Sequence, residues 1–126
     1  MMTVREFLNL PELEEGEKMD LIGGEIVRSE PGKCLHEITK SNVLHLLVSW
    51  LSRNPPGKVF GCSMFQLDEV NSLMPDVSVL FPDPIPSGTG LLRGAPELAI
   101  EVISSEKASD LEDRIELYLA HGSQSV

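Results

Sequence analysis

The sequence predicts a mixed α/β domain, with a central mixed sheet flanked by a long helix and a final helix. Three observations predict it. One long segment repeats apolar residues at three- and four-residue steps. Two short apolar runs, "SLMPDVSVLF" and "PELAIEVIS", are bounded by Pro, Gly and Ser and are too short for helices. A capped amphipathic segment, "SDLEDRIELYLAHG", closes the chain. At 126 residues the whole chain, 1–126, is read as one domain.

The elements follow in order. Thr3 and Glu6 have capping-box spacing ahead of Phe7 and Leu8, so a short helix opens the chain and ends before Pro11. "PELEEGEKMD" is an acidic, solvated connector. "MDLIGGEIVRSE" places Gly23-Gly24 between apolar pairs, which predicts a tight hairpin with Glu25 just past its turn. In "GKCLHEITKSNVLHLLVSWLSRNPPG", Leu35, Ile38, Leu44, Leu47, Val48 and Leu51 form one stripe, Trp50 joins the core, and Pro55-Pro56 ends the helix. "KVFGCSMFQLDEV" and "SLMPDVSVLF" follow as two strands joined through "EVNS". "PDPIPSGTGLLRG" is a loop, because Pro and Gly deny it a regular ladder. "PELAIEVIS" is the fourth main strand. In the last helix Ser109 and Glu112 form a second capping box, Leu111, Ile115, Tyr118 and Leu119 make the apolar stripe, and Gly122 ends it. A strand is expected after "SQSV" to complete the sheet, so the domain is read as truncated at its C-terminal end.

Asp76 and Glu101 stand out. Each interrupts a run that otherwise belongs in a core, Asp76 at the head of "DVSVLF" and Glu101 in the middle of "LAIEVI". Alternation puts Ala99, Glu101 and Ile103 on one face and Leu98, Ile100 and Val102 on the other, so both faces are covered. A buried carboxylate must be neutralised, paired or bound to a cation. If the two strands are neighbours, both acids converge on one point, a pattern suited to Mg²⁺ or Mn²⁺. Such an ion activates water and stabilises charge on a phosphate. From spacing alone a second interpretation stands beside it: Glu101 pairs with an arginine and Asp76 caps a turn.

Composition narrows the classes. No apolar run approaches the ~20 residues of a membrane span, and the first twenty residues carry no signal-peptide pattern, so the expected location is the cytoplasm. Cys34 and Cys62 belong to no C-x-x-C pair and are expected reduced and structural; His36, His45 and His121 have no zinc spacing. The net charge is −10, with ten Lys and Arg scattered rather than clustered, which argues against a domain that grips DNA through a basic stripe. It leaves room for an enzyme whose carboxylates hold a metal.

Five ordered blocks, "DLIGGEIV", "LHEITKSNVLHLL", "MPDVSVLF", "GAPELAIEVIS" and "DLEDRIELYLAHG", resemble the Uma-type "putative restriction endonuclease" family. That family, long catalogued as a domain of unknown function, belongs to the PD-(D/E)XK nuclease superfamily. The resemblance runs from "MTVREFLNLPE" to the end of the chain. It implies a restriction-endonuclease-like core and a metal-dependent endonuclease acting on DNA. It assigns Asp76 and Glu101 as ligands of one Mg²⁺ or Mn²⁺, Glu25 as an acid approaching the ion, and His36 as an accessory residue. A backbone-satisfied helix-end histidine is the alternative for His36.

The departures from the pattern concern positive charge. The superfamily signature has Lys two residues after the second acid, where this chain has Ile103. The family's helix lysine, four residues before a Tyr, corresponds to Arg114. Arginine is no general base, but it supplies fixed charge to a transition state. Its alternative is an i,i+4 pair with Asp110. Lys107, in a turn one residue shorter than the family's and without its Pro, is a second substitute. The competing function is a non-catalytic or decayed family member acting as an interaction module. The small size of the domain and the general prevalence of two-fold oligomers predict a homodimer.

Overall fold

The computed structural model describes residues 1–11, 18–28, 34–81, 91–103 and 108–126. Among these residues three helices, α1 (Val4–Leu8), α2 (Cys34–Ser52) and α3 (Ala108–Ala120), accompany eight short strands. These are β1 (Met19–Ile22), β2 (Glu25–Arg28), β3 (Lys58–Gly61), β4 (Met64–Gln66), β5 (Ser72–Leu73), β6 (Val77–Leu80), β7 (Leu91–Arg93) and β8 (Leu98–Ile100). The mixed α/β architecture is the one predicted. The strands, however, fall into two sheets, ordered β2-β1-β5-β4-β7 and β3-β6-β8.

The division has a local cause. Each of the two long segments expected as one strand is broken once, at Cys62-Ser63 and at Met74-Pro75-Asp76, and passes from one sheet to the other. Pro75 has no N–H to give a ladder. The Met74 N–H turns away to Asp20 Oδ1 at 2.8 Å, and the Cys62 N–H donates to the Asp76 carbonyl at 3.2 Å, holding the two breaks side by side. The result is a crease between the sheets.

The opening helix is capped as expected, the Glu6 N–H donating to Thr3 Oγ1. The β1–β2 hairpin turns on Gly23 (φ 58°) and Gly24 (φ 79°), left-handed values that a two-residue hairpin loop demands. Alternation along β1 sends Met19 and Leu21 into a core with Val4 and Phe7, and Ile22 into a second core with Leu73, Ala99 and Tyr118. Helices α1 and α3 thus cover the five-stranded sheet on its two faces, and α2 packs on β3 and β6 of the other.

Several sequence expectations are corrected. "LLRG" is not all loop: β7 pairs in parallel with β4, which makes that sheet mixed. In α2 only Leu51 is buried, and Leu35, Ile38 and Val48 are exposed, because its neighbours among the described residues are the short strands β3 and β6. Trp50 is 51% exposed and borders a pocket of about 230 Å³ with Leu47, Val79 and Phe81. Helix α3 begins at Ala108, so Ser109 lies inside it rather than capping it. Its buried face runs through Arg114 and Tyr118, leaving Ile115 and Leu119 exposed, because an acid in β1 draws the helix round. Cys34 and Cys62 form no disulfide and are exposed, so neither packs a core.

Beyond α3, Gly122 adopts φ 113° and the chain returns to the smaller sheet. Ser125 bridges Leu98 in parallel, and the Ala99 N–H donates to the Ser125 carbonyl at 3.1 Å.

Ser78 on β6 is buried, and its hydroxyl has no hydrogen-bond partner among the described residues. Removing an unsatisfied buried hydroxyl relieves a desolvation penalty. Ser78→Ala should therefore raise stability by about 1 kcal/mol, seen as a higher thermal midpoint; a lower midpoint would show that the hydroxyl has a partner.

Candidate active site

The crease gathers charged side chains from every layer. Asp76 stands just before β6 and Glu101 just after β8, and the antiparallel register Val77↔Ile100 sets them opposite one another. Glu101 is thus not inside a strand. The strand ends at Ile100, and Val102 turns its N–H to Asp76 Oδ2 at 2.7 Å. Lys18, immediately before β1, lies between the two acids, its Nζ 3.2 Å from Asp76 Oδ1 and 3.4 Å from Glu101 Oε2. Both oxygens face one ammonium, the convergence that a shared ion would also require.

The other side chains surround this centre. His36, in the first turn of α2, places Nε2 3.6 Å from Asp76 Oδ2. Tyr118 of α3, fully buried, donates its hydroxyl to Glu101 Oε1 at 3.4 Å. Lys40, one turn along α2 from His36, reaches Cys62 Sγ at 2.7 Å, next to Asp76 through the Cys62 N–H. Arg114 is 4% exposed and donates Nη2 and Nε to Asp20 Oδ2 at 2.7 and 3.2 Å. Its partner is therefore Asp20, not Asp110.

Electrostatics separate the two facing acids. Burial raises Asp76, but Lys18, the Val102 N–H and His36 outweigh it and hold the carboxyl below its ordinary value. Glu101 is more deeply desolvated, and the charges of Asp76 and Asp20 add to burial against the pull of Lys18 and Arg114. It is pushed up to about 7. Lys18 is lowered by burial, but Glu101, Asp76 and Asp20 raise it more, so it stays an ammonium. Burial pushes the Tyr118 phenol up, which keeps it a donor. One acid is firmly ionised and its neighbour takes or releases a proton near neutrality, an arrangement suited to acid–base work.

Of the residues singled out in the sequence, Asp76, Glu101 and His36 come together. Arg114 stands behind them through Asp20. Glu25 does not join: it is exposed on the edge strand β2, opposite Ile22, two residues along β1 from Asp20 and one strand further from the crease. Lys107 lies outside the described residues. Ile103, at the signature lysine's place, is 67% exposed.

Sequence reasoning misses Lys18 and Asp20. The signal was available in "KMDLI", where alternation puts Lys18, Asp20 and Ile22 on the face opposite Met19 and Leu21. Asp20 is a third acid in an apolar strand, the same anomaly as Asp76, concealed by the acidic connector that precedes it.

Residues 4–126 match the Uma2 family, described as "Putative restriction endonuclease". The chain belongs to the Uma2 family. The fold is also similar to the crystal structure of "a putative nuclease belonging to DUF820" from Anabaena variabilis ATCC 29413, with a TM-score of 0.86 and 25% sequence identity. That similarity covers 98% of this chain and 71% of the other. No curated protein matches significantly. Among the described residues of this Uma2 member, no helix is long and apolar enough to cross a membrane.

The donor set fits a divalent cation. Among the described residues no group of three or more His, Cys, Asp and Glu forms a cage. Mg²⁺ needs none, because it binds through one or two carboxylates and keeps several waters. Asp76 and Glu101 supply two hard oxygens already turned towards one positive charge.

Proposed function

We propose that this Uma2-family protein is a divalent-cation-dependent nuclease that hydrolyses phosphodiester bonds in DNA, with Asp76 and Glu101 as the residues that hold the ion. The observation that carries this is the convergence of the two carboxylates on a single cation at the crease. Family and fold support the nuclease chemistry.

Mg²⁺ or Mn²⁺ held there would supply positive charge to a phosphoryl oxygen and lower the pKa of a water. The protein's own groups do the rest. Asp76 stays ionised through the Val102 N–H and Lys18, and so offers a fixed negative pole. Glu101, raised to about 7 in the metal-free protein, would give up its proton to hold the ion. Tyr118 fixes the orientation of Glu101 through Oε1. Arg114 adds charge to the site from behind Asp20 rather than by touching substrate. Lys18 and Lys40 supply the local positive charge that a chain of net charge −10 needs to admit a polyanion. A two-fold pair of subunits would present two such patches to the two strands.

Supercoiled plasmid should be nicked or linearised with Mg²⁺ or Mn²⁺ and left intact with chelator. Asp76→Asn, which keeps shape but removes charge, should lower cleavage at least a hundredfold, about 2.7 kcal/mol. Cleavage that persists in that variant would remove Asp76 from the chemistry.

A second reading has its own observation. The cation position is filled by Lys18, the signature lysine is replaced by Ile103, and Arg114 is committed to Asp20. Those features suit a family member that keeps the fold as an interaction module. Absence of both cleavage and ion binding would favour it.

A further inference from the structure

We propose that Lys18 is a resident counter-cation: it occupies the place between Asp76 and Glu101 that a divalent ion takes, and it must leave when the ion binds. This rests on the assignment of those two acids as ligands.

The geometry defines the problem that Lys18 solves. Two carboxylates, 3% and 14% exposed at the side chain, face one another at the crease. Like charges at such separation, out of water, repel strongly and each needs a partner. The neighbouring donors are engaged elsewhere: Arg114 is used by Asp20, and His36 Nε2 approaches the far oxygen of Asp76 at 3.6 Å. Among the described residues Lys18 alone contacts both acids, and it uses one oxygen of each. Those are the two oxygens that an ion between the carboxylates would take.

The residue type suits a temporary occupant. Lysine carries a compact point charge on a four-carbon flexible stem, without the planar fork that locks arginine to carboxylates. Its side chain is 24% exposed, so a path to solvent exists. An ammonium cannot remain within about 3 Å of a divalent ion, because the repulsion at that distance exceeds what water screens. Metal binding and the Lys18 contacts are therefore mutually exclusive. Once displaced, the ammonium remains tethered at the mouth of the site, where an incoming phosphate brings the negative charge it has lost. Lys18 is then a positioning residue in the metal-free protein and a phosphate-facing charge in the loaded one.

Calorimetric titration of Mn²⁺ into the full chain at pH 8 tests this, with Lys18→Met, Lys18→Arg and Asp76→Asn beside the native protein. Lys18→Met keeps the stem and removes the competitor, so Mn²⁺ should bind at least tenfold more tightly than to the native chain. Lys18→Arg places a two-pronged donor in the same position and should bind Mn²⁺ more weakly. Without metal, Lys18→Met should melt at a lower temperature than the native protein, and Mn²⁺ should restore the difference. A merely structural lysine would lower the melting point without reordering the affinities. Equal or weaker Mn²⁺ binding by Lys18→Met would overturn the proposal, as would a Lys18→Met chain that stays unfolded even in Mn²⁺. If neither native nor Lys18→Met protein binds Mn²⁺, or Asp76→Asn binds as well as native, the ligand assignment itself fails and this proposal with it.

Discussion

Arg114→Met is expected to lose about 3–5 kcal/mol of stability, the cost of breaking a buried ion pair by removing one partner. That is a large part of the ~5–15 kcal/mol that holds a domain of ordinary stability together. The cause is Asp20. Its carboxylate is 1% exposed, accepts the Met74 N–H on Oδ1 and faces Arg114 on Oδ2. Without the guanidinium it would be a buried charge helped by the Met74 N–H and by Lys18, which Asp76 and Glu101 also claim. The double variant Asp20→Asn/Arg114→Met leaves the Met74 N–H its acceptor and removes both charges, so most of the loss should be regained. Urea titrations of the native protein, both single variants and the double variant give the coupling directly. If Arg114→Met unfolds within 1 kcal/mol of the native protein, the pair is not what turns α3 onto the sheet.

That pair also marks where sequence reasoning stops. Arginine four residues before Tyr118 is visible as a basic group on an amphipathic helix, and sequence offers two uses for it: pairing with Asp110 or charge for a transition state. The contact with Asp20 spans 94 residues of chain and depends on β1 lying beneath α3, which no local spacing encodes. Asp76 and Glu101 were legible for the opposite reason, because an acid in an apolar run is an anomaly within its own segment. The strand pattern was readable in kind but not in division. Pro75 was visible, yet its effect, handing the chain from one sheet to another, depends on a matching break at Cys62-Ser63 with no proline to announce it. The place of helix α2 is legible in the sequence but its burial is not, since a periodic stripe states what could be covered and not what covers it.

Glu101→Gln should flatten the pH dependence of the metal-free protein's stability above pH 5. The Glu101 carboxyl is raised from 4.5 to about 7 by burial and by its acidic neighbours. A raised folded-state value means that the folded chain binds this proton more tightly than the unfolded chain does. The resulting stabilisation is complete below the unfolded value of 4.5 and is lost as pH rises through about 7. The side chain is largely buried, so the displacement corresponds to a change of order 3 kcal/mol. Asp20 acts in the same sense, while Asp76 and Asp68, held low, lose their contributions only in acid. In chelator, native stability should therefore fall between pH 5 and pH 8.5, and the Glu101→Gln curve should fall by less, the gap widening through neutrality. Glutamine can accept from Tyr118 or from Lys18 but not from both, so its absolute stability shifts as well, and the pH dependence of the difference is what isolates the proton. The proposed ligand role makes the opposite demand: an ion needs Glu101 ionised, so added Mn²⁺ should stabilise the native chain more as pH rises and Glu101→Gln hardly at all. Urea titrations in chelator that give parallel curves for the two proteins would show that Glu101 titrates as an ordinary exposed acid, and the poised pair at the crease would then be lost.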